Sequence, residues 1–319
     1  MKNQLFLILF IIFTIISSGC IDPKNNNEHK QQPIIIQGKG EYPTINQAIE
    51  NASEHDLIII PPGTYVESID LNISSLQLKG TDPKTTIISG NKSGDVIHIS
   101  ADNITIQNVT IKNSGNGVYD AGVYIHASHV NIINTIISYC YHGIYLHQDT
   151  NNNTIENNVF SFSHNGLYGI QTKHNFIENN IFHDNREYGM YIRFYSDENT
   201  IVNNSFEAND VGIRVKSSLE NVIASNLFRN QIDKGIYVCC GAKDNLFYQN
   251  VFINNSIHAY DSLDNNWYYN GTGNYWDDYN GLDTNNDGIG DEPYKVKGGS
   301  NIDSFPLIAI KQLFFIIKK

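Results

Sequence analysis

Short runs of Ile, Val and Phe alternating with polar residues recur along most of this chain, and each run is interrupted by a pair of polar residues, usually asparagines. The segment Asn199-Thr200-Ile201-Val202-Asn203-Asn204-Ser205-Phe206 has close copies at residues 153–160, 175–182, 221–228 and 245–252. The second member of the central pair is Asn158, Asn180, Asn204, Asn226 and Asn250, so the steps are 22, 24, 22 and 24 residues. A fixed period of this size signals a repeat architecture. The alternation is that of strands, because helices would space their apolar residues by 3.6.

Within one copy, Ile155 and Phe160 are five residues apart. A straight strand cannot point both inward, so the intervening Asn pair predicts a corner, where Asn tolerates left-handed backbone and bonds to its own main chain. Stacked at the inter-strand spacing of about 4.8 Å, these corners predict a column of Asn amides bonded to one another. The expected fold class is all-β: a right-handed parallel β-helix, a solenoid with one coil per repeat. A second register supports it: Gly122, Gly143, Gly169, Gly189, Gly212 and Gly235 each open an alternating strand, with mostly apolar residues one and three positions later.

These repeats resemble those of pectin-lyase-like β-helices, most closely the NosD-type family associated with periplasmic copper binding and with carbohydrate-binding and sugar-hydrolysis domains. The resemblance covers roughly residues 38–307. Near its end, Tyr275-Trp276-Asp277-Asp278-Tyr279, the acidic loop after it and the Asp303-Ser304-Phe305-Pro306-Leu307 ending resemble the C-terminal signature of NosD-like surface proteins of methanogenic archaea. The fold is the specific part of this likeness, since fold and chemistry separate readily.

The expected organisation is a signal segment at 1–20, a polar tether at 21–37, repeats at 38–265, a C-terminal capping segment at 266–307 and an apolar, basic tail at 308–319. Lys2, the apolar run and Ser17-Ser18-Gly19 before Cys20 resemble a lipoprotein signal, which implies a lipidated Cys20 and anchoring to the outer face of the cell membrane. Ile45, Ala48, Ile49 and Ala52 predict a short amphipathic helix, an N-terminal helical cap for the open end of the core. Cys140, Cys239 and Cys240 are expected as free thiols. With 33 acidic against 21 basic side chains the net charge is −12, which argues against a nucleic-acid partner.

Outward positions beside the glycines form two columns. One holds Tyr124, Tyr145, Gln171, Tyr191, Arg214 and Tyr237; the other holds His126, His147, Lys173, Arg193, Lys216 and Cys239, with His98 extending it. Such a basic and aromatic stripe suits an acidic polysaccharide or glycan, since rings stack on sugars and Arg or Lys pairs with carboxylates. Strand preference for Tyr and the need of an exposed face for polar side chains also explain it, with no ligand at all. Lys173, Arg193, Arg214 and Lys216 are the candidates for lyase or hydrolase chemistry, whereas Glu156 and Glu178 read as solvation. Only Tyr141-His142-Gly143 resembles a hydrolase motif on this fold, and it lacks acidic partners.

His98, His126 and His147 on neighbouring coils could bring imidazoles to one metal, which the resemblance to the NosD family implies would be copper. Asp283, Asn285, Asp287, the Ile289 carbonyl and Asp291 follow calcium-loop spacing around Gly288, with Tyr294 where the terminal Glu belongs.

Overall fold

The computed structural model describes residues 32–310, so Cys20, the signal segment and the tail from 311 onward lie outside the described residues. The chain winds as a parallel β-solenoid whose successive coils contribute strands to sheets of 11, 10 and 9 strands. One coil illustrates the rest: Thr154–Glu156 lies in the first sheet, Val159–Ser161 in the second and Asn165–Ile170 in the third. The predicted corner falls between the first two. Asn157, Asn179 and Asn203 there have φ of 58°, 56° and 56°, the left-handed region that Asn accepts at least cost among side-chain-bearing residues.

The second Asn of each pair is buried and bonds to its counterpart one coil on. Asn158 Nδ2 donates to Asn180 Oδ1 at 3.0 Å, Asn180 to Asn204 at 3.0 Å, Asn204 to Asn226 at 3.1 Å, Asn226 to Asn250 at 3.1 Å and Asn250 to Asn274 at 3.0 Å. A second ladder, which the sequence pattern contains but did not reveal, runs from Asn153 through Asn175, Asn199, Asn221 and Asn245 to Asn265. Both end on buried carboxylates: Asn274 Nδ2 donates to Asp303 at 3.2 Å, and Asn265 Nδ2 to Asp261 at 3.1 Å. Inside, Phe160, Phe182, Phe206 and Phe228 stack at centroid spacings of 4.6, 4.8 and 5.0 Å.

The glycine register needs one correction. Gly166, not Gly169, aligns with Gly143 and Gly189, because Asn165 pairs with Tyr188 and Leu167 with Met190. A methyl group on Gly166 would sit 2.5 Å from the Gly189 carbonyl oxygen and 2.7 Å from the Phe182 ring, so only glycine fits under the next coil.

The ends differ in detail from expectation. Ile34–Ile36, assigned to the tether, is a strand paired antiparallel with Leu57–Ile60, and both Ile34 and Ile36 are fully buried. The helix Ile45–Glu50 forms as expected, starting where Thr44 Oγ1 accepts from the Gln47 amide and burying Ile45, Ala48 and Ile49. At the other end, Trp267 stacks on Phe247 and Trp276 on Phe252, each at 4.3 Å, and continue the core columns. Cys140, Cys239 and Cys240 are free thiols.

Candidate binding groove

Strand register decides which side chains meet on the third sheet. His98, Tyr124 and Tyr145 align, followed by Tyr168, Tyr191, Arg214, Tyr237 and Tyr260. His98 therefore belongs to the tyrosine column rather than the histidine column, where it stacks on Tyr124 at 4.9 Å and pairs with Asp95 at 3.4 Å. Tyr168 takes the place expected for Gln171. In the neighbouring column Ile170 stands between His147 and Arg193, and Lys216 and Cys239 follow. Lys173 leaves the stripe, because Gln171 turns the chain with φ of 51° and Lys173 instead pairs with Asp197 at 2.9 Å.

The column points away from the core, yet Tyr145 and Tyr191 are 3% and 7% exposed, since their neighbours cover them. The densest part borders a groove of about 240 Å³ whose walls include His142, Tyr168, Tyr188, Tyr191, Arg193 and Arg214. Arg214 lies over the rings of Tyr191, Tyr237 and Tyr188 at 5.0, 5.1 and 5.5 Å, and its Nη1 donates to the Tyr188 hydroxyl at 2.6 Å. Arg193 lies over Phe194 at 4.0 Å and donates from Nη1 to the Tyr168 hydroxyl at 2.8 Å. The Nε of each guanidinium is shielded and has no hydrogen-bond partner.

Among the described residues, charge compensation is missing at the groove, as it is at Arg186 and at surface lysines such as Lys79, Lys84 and Lys92; what distinguishes the groove cations is the aromatic rings around them. Lys39, Lys173, Arg229 and Lys234 each pair with a carboxylate. Arg193, Arg214 and Lys216 do not; among the described residues no carboxylate lies within ion-pair distance of them, and Lys216 approaches the Phe194 ring at 5.1 Å. On a chain of net charge −12 this is an uncompensated cationic patch held by aromatic faces.

His142 forms the groove's floor and is buried. Its Nε2–H donates to the Val118 carbonyl at 3.1 Å and its Nδ1 accepts from Asn165 Nδ2 at 3.2 Å, so the tautomer follows from the partners. Burial pulls its pKa down to about 4, and nearby His164 acts in the same direction. It is a neutral strut that has no nitrogen to spare for proton transfer. At the lip, His164 Nε2 meets Glu187 Oε2 at 2.8 Å, and Tyr141 stacks on the His164 ring at 4.6 Å. Burial raises the Tyr168, Tyr188 and Tyr191 hydroxyl pKa values, which keeps these phenols protonated. His142, His164, Tyr168, Glu187 and Tyr188 were not singled out by sequence as binding residues; the local signal was His142-Gly143 recurring as Asn165-Gly166 and Tyr188-Gly189.

The metal candidates separate in space. His126 and His147 are adjacent, with centroids 4.7 Å apart, and burial lowers the pKa of His147. These two imidazoles are what the described residues offer copper there, with no third His, Cys, Asp or Glu converging on them. His258, Asp277 and Asp278 do converge, with His258 Nε2 at 2.8 and 3.3 Å from the two carboxylates. However, Asn255 Nδ2 faces His258 Nδ1 at 3.3 Å, while Asn255 Oδ1 accepts the Gln231 amide. That arrangement puts the imidazole proton on Nε2, the atom a metal would need. In the acidic loop, Asp283 accepts from the Asp287 and Gly288 amides and Asp291 from that of Thr284. Glu156 and Glu178 stack on the first sheet, where each accepts from a neighbouring Asn side chain.

A solenoid of three parallel sheets with a groove on one face places the chain in the pectate-lyase-like class of parallel β-helices. A family model described as "Periplasmic copper-binding protein (NosD)" matches residues 80–281, and the chain belongs to that family. Pectate lyase Pel9A superposes with a TM-score of 0.58 at 14% identity, covering 72% of this chain and 68% of that one. The catalytic domain of a GH87 α-1,3-glucanase, in complex with nigerose, gives 0.52 at 16% identity, over 83% of this chain and 50% of that one. A putative pectinesterase/pectinesterase inhibitor 22 of Arabidopsis thaliana is 37% identical over 71 residues, or 20% of this chain and 13% of that protein. The chain thus aligns with a small part of that relative's length.

Proposed function

We propose that this protein works outside the cytoplasm, held at the outer face of the cell membrane through a lipidated Cys20, and binds an acidic polysaccharide across the third-sheet groove. The observation that carries this reading is the pair Arg193 and Arg214: guanidiniums boxed by tyrosines, without a carboxylate partner, beside a groove. A planar fork of N–H donors suits a uronate carboxylate, and the surrounding rings suit sugar faces. Such a ligand would supply the anion that the fold withholds. Retention on uronate-bearing but not neutral polysaccharides, lost in Arg193→Gln/Arg214→Gln, is the expected result; equal retention of both classes by both proteins would sink it.

A second reading, cleavage in the same groove, is favoured by the His164–Glu187 pair at the lip. Glu187 would orient His164 to take the proton beside a uronate carboxylate neutralised by the arginines. The bond to the leaving sugar oxygen would then break, that oxygen taking a proton, and an unsaturated end would remain. Arg214 is unsuited to be the base: although burial disfavours its charge, Tyr191, Cys239 and Tyr188 hold its proton more tightly than usual. Unsaturated ends released by the wild type and not by His164→Gln would establish this reading, and retention without release would exclude it.

Two ions belong to the same set of proposals. Calcium held by Asp283, Asn285, Asp287, the Ile289 carbonyl and Asp291 would make the melting temperature fall on chelation and recover with added Ca²⁺. Copper at His126 and His147 would be retained through dialysis by the wild type and lost from His126→Ala.

A further inference from the structure

At the corner between the second and third sheets, seven successive coils each place one residue in left-handed backbone just after the second-sheet strand. These are Asn113, Tyr139, Phe162, Asp184, Ala208, Asn230 and Asn254, with φ between 50° and 63°. Asn and Asp suit that conformation, and an aromatic residue is unusual there. Asn230 and Asn254 show the ordinary solution, an amide bonded to the next amide at 2.8 Å. Tyr139 and Phe162 depart from it. Their rings stack at 5.4 Å with planes 15° apart, and they remain 58% and 50% exposed, so neither gains core burial for its place.

The pair lies on a depression of about 520 Å³ that also includes Tyr141, His164 and Arg186. Tyr141 and His164 line the Arg193–Arg214 groove as well, so the two hollows share a wall. Arg186 is exposed and, among the described residues, has no carboxylate within ion-pair distance.

We propose that Tyr139, Phe162 and Arg186 form a second subsite, on which a further acidic sugar of the same polysaccharide stacks. This rests on the groove being a glycan site. The chain of sugars would then cross the corner, passing around a coil from Arg214 toward Arg186, rather than following the axial stripe. A polysaccharide fits better than an apolar partner because cations stand at both ends and polar groups occupy the shared wall.

The test uses the purified protein, uronate and neutral oligosaccharides of graded length, and the variant Tyr139→Asn/Phe162→Asn. Asn is what other coils carry at this corner, and an unchanged or raised melting temperature would confirm that the fold is kept. The expected result is a loss of about ten-fold in affinity for long uronate oligomers, near 1.4 kcal/mol, with short ones bound as by the wild type. Arg193→Gln/Arg214→Gln should weaken both lengths. Long oligomers bound normally by the aromatic variant but not by the arginine variant would overturn the second subsite and leave the groove standing. Sensitivity to the aromatic variant alone would keep the platform and overturn the groove, and no binding of any oligosaccharide would overturn both.

Discussion

At the scale of single residues, the groove is built at the expense of the fold. Arg214 keeps a charge among three tyrosines with a shielded Nε and no anion to offset it. A partly buried charge without a counter-ion carries a desolvation cost that an apolar side chain of similar length does not. Arg214→Met should therefore raise stability by about 1 kcal/mol, read as a higher denaturation midpoint, while abolishing retention on uronate polymers. His142 makes a prediction with a defined sign. Its ordinary pKa is near 6.5, and burial brings it to about 4 in the folded protein. Between those values the unfolded chain holds a proton that the native chain does not, so stability falls as the pH drops through that window, by at most about 1.4 kcal/mol per pH unit. His142→Gln should flatten this part of the melting-temperature profile; an unchanged slope would mean that another group controls it.

At the scale of the repeating element, much was legible because one physical demand recurs. The Asn pair between Ile and Phe identifies a corner and a buried amide column, and Asn158 through Asn274 form that column. Register was less legible. Asn165-Gly166-Leu167-Tyr168-Gly169-Ile170 offers two glycines three apart, and either can begin an alternating strand. Clearance beneath the next coil selects Gly166, and that is a contact between residues 23 apart that no local pattern contains. The displaced Lys173, the reassigned His98 and the unanticipated Tyr168 all follow from register. Groove residues such as Tyr188 and Glu187 were missed for a related reason: they precede the glycine, and meet only when successive coils are aligned. Asn204 tests the column. Asn204→Leu removes a donor to Ile177, Val202 and Asn226 and leaves Asn180 Nδ2 without its Asn204 acceptor. It should destabilise by about 2–4 kcal/mol, since each buried polar group left unpaired costs about 1–3 kcal/mol, measurable by denaturant titration. A loss under 1 kcal/mol would mean that neighbouring coils readily re-pair.

At the scale of the whole molecule, the coils form a nearly one-dimensional stack whose ends need solutions of their own. Asp303, from the ending noted in the sequence, uses Oδ2 to accept from Asn274 N at 2.6 Å and Trp276 Nε1 at 3.0 Å, and Oδ1 to accept from Phe305 N at 3.0 Å. Every one of these contacts is with a donor. Asp303→Asn, although nearly isosteric, would turn one acceptor into a further donor and should lower the melting temperature at neutral pH; an unchanged value would show that the carboxylate is replaceable there. The direction of the ladders gives this end a wider meaning. Every linking amide donates toward the C-terminal end, so the small dipoles add head to tail, as peptide dipoles do along a helix. The stack is consequently polar, with its positive pole at the end where Asp303 and Asp261 supply anions. A coil added or removed in the middle would preserve that match. A chain cut after any coil from Asn158 onward would end on ladder amides whose hydrogens only water could accept, so a shortened version should be more stable when the terminal carboxylate is moved along with the cut.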